Sequence, residues 1–137
     1  MFKTYSVCVL LFLSFLNAGA QTSFSHADTL RGSNGTGRSF WDVLHYNITV
    51  DPDIPTKSIK GTNEMRIQIY AAGLLQLDLQ EPMILDQART ENDEIPFKRE
   101  GNVYWLNMDK ALPPSFSLPA TITLKLEFHG TPREAIT

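Results

Sequence analysis

Apolar residues fall on alternate positions in one segment of this chain after another. Leu44, Tyr46, Ile48 and Val50 share one parity, and His45, Asn47 and Thr49 take the other. After a polar connection, Ile59, Gly61, Asn63, Met65, Ile67 and Ile69 alternate with Lys60, Thr62, Glu64, Arg66 and Gln68. Strand side chains point to opposite faces in turn, so each segment predicts a strand with one dry and one wet side. Together they predict an antiparallel pair over residues 40–69, with Leu44, Tyr46, Ile48 and Val50 in the core. Asp51-Pro52-Asp53-Ile54-Pro55 predicts a wide polar loop between them, since neither proline can donate to a ladder.

The same period returns downstream. Leu75, Leu77 and Leu79 alternate with Gln76 and Asp78, predicting a third, half-buried strand after Gly73. Met83-Ile84-Leu85, just past Pro82, predicts a short fourth strand, and residues 88–94 a polar turn. Residues 95–99 and 102–107 flank Glu100-Gly101 as a hairpin, with Val103-Tyr104-Trp105 suited to a strand. Residues 110–118 carry Pro113-Pro114 and run into Pro119, so they predict a connector with little room for helix. In residues 120–129, Ile122, Leu124, Leu126 and Phe128 face inward against Thr121, Thr123, Lys125, Glu127 and His129. No window of a dozen residues past the first twenty shows helical periodicity. The prediction is all-β, an antiparallel β-sandwich or a curved, saddle-like sheet whose apolar faces must cover each other.

The first twenty residues belong to a different class. Lys3 precedes an apolar run over residues 7–16, and Ala18-Gly19-Ala20 supplies a small-x-small cleavage pattern. That is a signal peptide over residues 1–20, leaving Gln21 as the mature N-terminus. The run is short of the ~20 residues a bilayer span needs. The expectation is an exported protein, periplasmic or extracellular, with no membrane contact after cleavage. Cys8, the single cysteine, lies inside the apolar run, so the mature chain can form no disulfide and relies on its core. Residues 21–38 are rich in Ser, Thr, Gly and Asn and predict a flexible lead-in. Residues 39–137 amount to one domain. The net charge of −3 is mild and interspersed, which gives neither a nucleic-acid surface nor a polybasic membrane patch. Asn34-Gly35-Thr36 and Asn47-Ile48-Thr49 match the N-glycosylation pattern, which matters only in a glycosylating host.

Chemistry is scarce. His26 falls in the lead-in, and His45 and His129 on the polar faces of separate strands; no H-E-x-x-H, H-x-H or cysteine pair exists to build a zinc site. Asp51 and Asp53, and the cluster Glu91, Asp93 and Glu94, lack the fixed ligand spacing of a calcium loop and read as solvated turn carboxylates. G-x-S-x-G and glycine-rich phosphate loops are absent. Trp41, Tyr46, Tyr104 and Trp105 could form a sugar- or peptide-binding platform if exposed together, but their apolar neighbours favour core packing. The sequence therefore assigns no catalytic, cofactor-binding or metal residue.

The ordered set His45-Tyr46, Asp51-Pro52, Ile59-Lys60-Gly61, the leucine strand at Leu75–Leu79 and Phe128-His129-Gly130 resembles the N-terminal β-domain of aminopeptidase N-type zinc metallopeptidases (gluzincins), especially exported bacterial ones. The resemblance covers nearly the whole mature chain. It implies a non-catalytic domain that packs against a catalytic domain and helps wall off its active site. It also implies a zinc ion in that catalytic domain and none here, with peptide substrates handled only by the parent enzyme. The family's H-E-x-x-H with its downstream Glu and its G-x-M-E-N loop do not occur in this sequence. The chain is thus expected to be the piece of such an enzyme that precedes the catalytic domain, with residues 39–137 as its β-domain, incomplete at the C-terminal end, and to be inactive alone. The competing expectation is a self-sufficient exported β-sandwich that binds or adheres through its aromatics.

Overall fold

A computed structural model describes residues 25–32, 34–112 and 115–134. The expected signal peptide, with Cys8, lies outside the described residues. Seven strands follow one another: β1 (Trp41–Asp53), β2 (Ser58–Ile69), β3 (Leu74–Asp78), β4 (Ile84–Arg89), β5 (Phe97–Glu100), β6 (Val103–Asn107) and β7 (Ala120–Gly130). Every pairing is antiparallel. A four-stranded sheet runs β1-β2-β7-β4 and a three-stranded sheet β3-β6-β5, so the fold is all-β as the periodicity predicts. Among the described residues two short helices accompany them, α1 (His26–Gly32) and α2 (Met108–Ala111).

Several boundaries differ from expectation. Pro52 pairs with Ile59 and Asp53 with Ser58, so β1 continues through the first proline and the expected wide loop shrinks to residues 54–57. An edge strand tolerates proline because one side of its ladder faces solvent, and β1 is at the edge. The turn closes with Lys57 donating its N–H to the Ile54 carbonyl at 3.2 Å, Lys57 itself adopting a left-handed φ of 52°. Strand β4 extends to Arg89, into the segment expected to turn. Helix α2 opens just before the expected connector and reaches into it, because Asn107 caps it by accepting from the Lys110 N–H at 3.2 Å.

The core lies between the sheets. Met65, Ile67 and Ile69 of β2, Leu124 and Leu126 of β7, and Leu85 and Ala88 of β4 meet Leu75, Tyr104 and Leu106 of the smaller sheet. Each large aliphatic residue buried this way stabilises the fold by roughly 1.5–3 kcal/mol. The Tyr104 hydroxyl accepts from the Leu85 N–H at 3.1 Å, tying β6 to β4 across the sheets. It also accepts from Arg99 at 3.0 Å, whose guanidinium lies 5.0 Å from the centre of the same ring. A buried hydroxyl needs such partners, since one left unmatched costs about 1–3 kcal/mol.

Strand β1 overturns the core assignment of Leu44, Tyr46, Ile48 and Val50. Val43 pairs with Ile67 but His45 with Arg66, so Leu44 is an extra residue in a β-bulge. Before the bulge, Trp41 and Val43 pack against the core. After it, Tyr46, Ile48 and Val50 sit opposite Met65, Asn63 and Gly61, on the face that carries the core. They are nevertheless 54%, 56% and 46% exposed. The smaller sheet is too short to reach them. At about 3.3 Å per residue, strands of 4–5 residues extend ~15 Å, against ~40 Å for strands of 11–13. Over this uncovered half, the Phe128 ring fills the space above Gly61. A Cβ on Gly61 would lie 2.7 Å from that ring and 2.5 Å from the Thr49 carbonyl.

Residues 25–32 and 34–38, expected to lack regular structure, dock on the outer face of the smaller sheet. Ser25 and Asp28 cap α1 reciprocally: the Asp28 carboxylate accepts from the Ser25 N–H and hydroxyl at 3.0 and 2.6 Å, and Ser25 Oγ accepts from the Asp28 N–H at 3.2 Å. These bonds hold the Asp28 carboxyl below its usual pKa, the Ser25 hydroxyl contributing most. Arg38 closes the other end by donating to the Leu30 carbonyl at 2.9 Å while pairing with Asp78. Gln76, expected to be wet, is 5% exposed because this segment covers it; its amide donates to Leu30 O at 2.8 Å. The third anchor is Glu100, which accepts from Trp105 Nε1 at 3.0 Å and bonds His26 at 2.9 Å.

Two outcomes follow from this packing. In urea titrations Leu124→Ala should cost about 2–5 kcal/mol, whereas Ile48→Thr should shift stability by no more than about 0.5 kcal/mol. The second concerns acid. The bonds from Trp105 and then His26 lower the Glu100 pKa below 4.5. A depressed folded-state pKa means the attachment is complete above that ordinary value and is lost as pH falls through the lower one. The indole N–H resonance of Trp105 should therefore move in a transition below pH 4.5, and Glu100→Gln should abolish that transition.

Candidate functional site

The structure does not bring the sequence candidates together. His26 is held by Glu100 on the outer face of the smaller sheet, and His129 bonds Asp86 at 2.7 Å across β7 and β4. His45 lies exposed on β1. Asp51 pairs with Lys60 at 3.2 Å, and the exposed Glu91, Asp93 and Glu94 lie in and beside the turn after β4. Among the described residues no three His, Cys, Asp or Glu side chains converge on one point where a metal could sit. The four aromatics do not share a platform either. Tyr104 is buried in the core, Trp105 lies on the opposite face of β6, Trp41 donates to the Gly37 carbonyl at 2.9 Å, and Tyr46 stands exposed on β1.

What the fold does assemble is a surface. The two faces of the larger sheet differ sharply in chemistry. On the outer face, directly opposed residues form polar pairs across the strands: Asp51–Lys60 at 3.2 Å, Glu64–Lys125 at 3.1 Å and Gln68–Thr121 at 2.9 Å. That is a face built for water. Near its β1 end the Tyr70 hydroxyl donates to Asp42 at 3.2 Å, which raises the Tyr70 pKa. On the inner face, beyond the reach of the smaller sheet, Tyr46, Ile48 and Val50 form an exposed row running to half-buried Ile59 and Phe128. Contiguous apolar area on a strand face marks an interaction surface.

The edge of the sheet adds to this. β1 is 13 residues long and bonded on one side only. The backbone groups along its free side have no ladder partner among the described residues, leaving a template for another strand. Sequence pattern recognised the apolar row but assigned it to the core, because periodicity reports which face a residue takes and not whether that face is covered. In the N-terminal segment, Ser25-His26-Ala27-Asp28 matches the capping-box spacing and could have announced α1.

No family model and no curated protein matches the sequence. Solved structures do match the fold. An M1 zinc metallopeptidase from Deinococcus radiodurans, a mutant bound to a Tyr-Ser-Ala substrate, superposes with a TM-score of 0.57 at 19% identity, over 73% of this chain and 22% of that one. Leukotriene A4 hydrolase from Saccharomyces cerevisiae superposes with a TM-score of 0.53 at 15% identity, over 80% of this chain and 19% of that one. The chain spans about a fifth of the length of these structures. Its described residues share their β-fold with part of these structures.

Proposed function

We propose that this chain is the N-terminal, non-catalytic β-domain of an exported zinc aminopeptidase. The observation that carries the reading is the bare inner half of the larger sheet. A domain that completed its own core would cover Tyr46, Ile48 and Val50, whereas a domain that packs against a larger body leaves such a face ready. The shared fold supports the same conclusion, because this chain corresponds to about a fifth of each matched structure, one of them an M1 zinc metallopeptidase.

In this reading the chain contributes shape and contact, not chemistry. The H-E-x-x-H zinc motif and the G-x-M-E-N motif do not occur in its sequence, so the zinc ion and the peptide substrate belong to a catalytic domain that this one helps enclose. Export rests on Lys3, the apolar run of residues 7–16 and the Ala18-Gly19-Ala20 step.

Two measurements test the proposal together. Sequencing the gene beyond the codon for Thr137 should find an in-frame H-E-x-x-H. The purified 137-residue chain, given zinc and an aminoacyl p-nitroanilide, should release no product. An in-frame continuation without that motif, or zinc-dependent release by the chain alone, would overturn it.

A further inference from the structure

A second feature lies on the other side of the molecule and does not depend on the reading above. On the outer face of the smaller sheet, cross-strand register places Gln76 and Lys98 on either side of Trp105, with Leu74 opposite Asn107. The N-terminal segment covers only part of this face. Gly37 presses on Trp105 and Gln76 so closely that a Cβ there would come within 2.5 Å of the indole ring. Its backbone is pinned by Gln76 N–H donating to the Gly37 carbonyl at 2.8 Å. Three residues on, the Tyr70 N–H holds the Phe40 carbonyl at 2.8 Å. Beside this crossing an open cleft of about 840 Å³ remains, within the ~300–1,000 Å³ typical of ligand sites.

Phe40, Leu74, Phe97 and Trp105 give the cleft an apolar lining, and Leu74 is 51% exposed within it. Trp105 offers only ring carbon here, since Glu100 already takes its N–H. Among the described residues, the ionisable groups on the lining are Lys98 from β5 and Lys110 from α2, and no carboxylate lines it. Neither ammonium group has an ion pair or side-chain hydrogen bond among the described residues, while Lys57, Lys60 and Lys125 are all paired. The Lys110 backbone is fixed by the Asn107 cap, which anchors the base of its side chain beside the cleft.

Two unmatched cations above an aromatic floor select for opposite charge combined with apolar bulk. We propose that this cleft binds an acidic peptide segment in which carboxylate side chains flank an aromatic or aliphatic one. The apolar side chain packs on Leu74 and Trp105, and the carboxylates pair with Lys98 and Lys110.

The test uses the full chain and the blocked tripeptide acetyl-Glu-Phe-Glu-amide, followed by the indole N–H resonances of Trp41 and Trp105. The Trp105 signal should shift saturably while that of Trp41 stays in place. The acetyl-Lys-Phe-Lys-amide twin should bind at least tenfold more weakly. Because both lysines are exposed and unpaired, the doubly reversed K98E/K110E chain should fold normally and lose at least tenfold in affinity. Leu74→Ser should weaken binding through the floor with both charges kept. Raising the salt from 50 to 500 mM should also lower affinity severalfold, as exposed charges are screened. No saturation up to millimolar peptide, equal binding of the lysine twin, or unchanged affinity in K98E/K110E would overturn the proposal.

Discussion

The two sheets are of unequal length, and the rest of the structure depends on that mismatch. The strands of the larger sheet run 11–13 residues at β1, β2 and β7, and those of the smaller sheet only 4–5. Apolar burial therefore stops where β3, β5 and β6 stop. One half of the larger sheet holds a closed core of Met65, Ile67, Ile69, Leu124 and Leu126 against Leu75, Tyr104 and Leu106. The other half keeps the same alternation, and among the described residues no second sheet covers it. Because hydrophobic stabilisation follows the area removed from water, the closed half holds the chain folded and the bare half adds little to that.

Local details serve this division. The bulge at Leu44 absorbs an extra residue, so Tyr46, Ile48 and Val50 stay on the core-bearing face after it. Phe128 lies over Gly61 and shields part of the bare half without closing it. On the opposite side, cross-strand pairs such as Glu64–Lys125 make the outer face of the same sheet compatible with water. The smaller sheet solves its own outer face with the N-terminal segment, through Arg38, Gln76 and Glu100. Each sheet thus has one face buried in the core, and only the larger leaves a long apolar row open.

Much of this was legible in the sequence. The period-two pattern named every long strand, the β5–β6 hairpin and the inward residues Leu124 and Leu126. It missed what depends on neighbours rather than period. Tyr46 and Leu124 follow the same alternation, yet one is exposed and the other buried, since coverage depends on how far a distant sheet extends. Pro52 looked like a strand breaker and sits within β1 because an edge strand tolerates it. Gln76 looked wet and is buried under a segment whose polar composition suggested disorder, although Ser25 and Asp28 cap it locally. The aromatic cleft with Lys98 and Lys110 was invisible because its residues come from β3, β5, β6, α2 and the N-terminal crossing.

The central claim is that the bare half of the larger sheet is a contact surface for a larger body of protein. Hydroxyl-radical footprinting of Tyr46 addresses it most directly, comparing the 137-residue chain with the longest polypeptide translated from the same gene. The account predicts a longer polypeptide in which Tyr46 reacts several times more slowly than in the short chain. Equal reactivity of Tyr46 in the two, or no polypeptide longer than the chain itself, would contradict it.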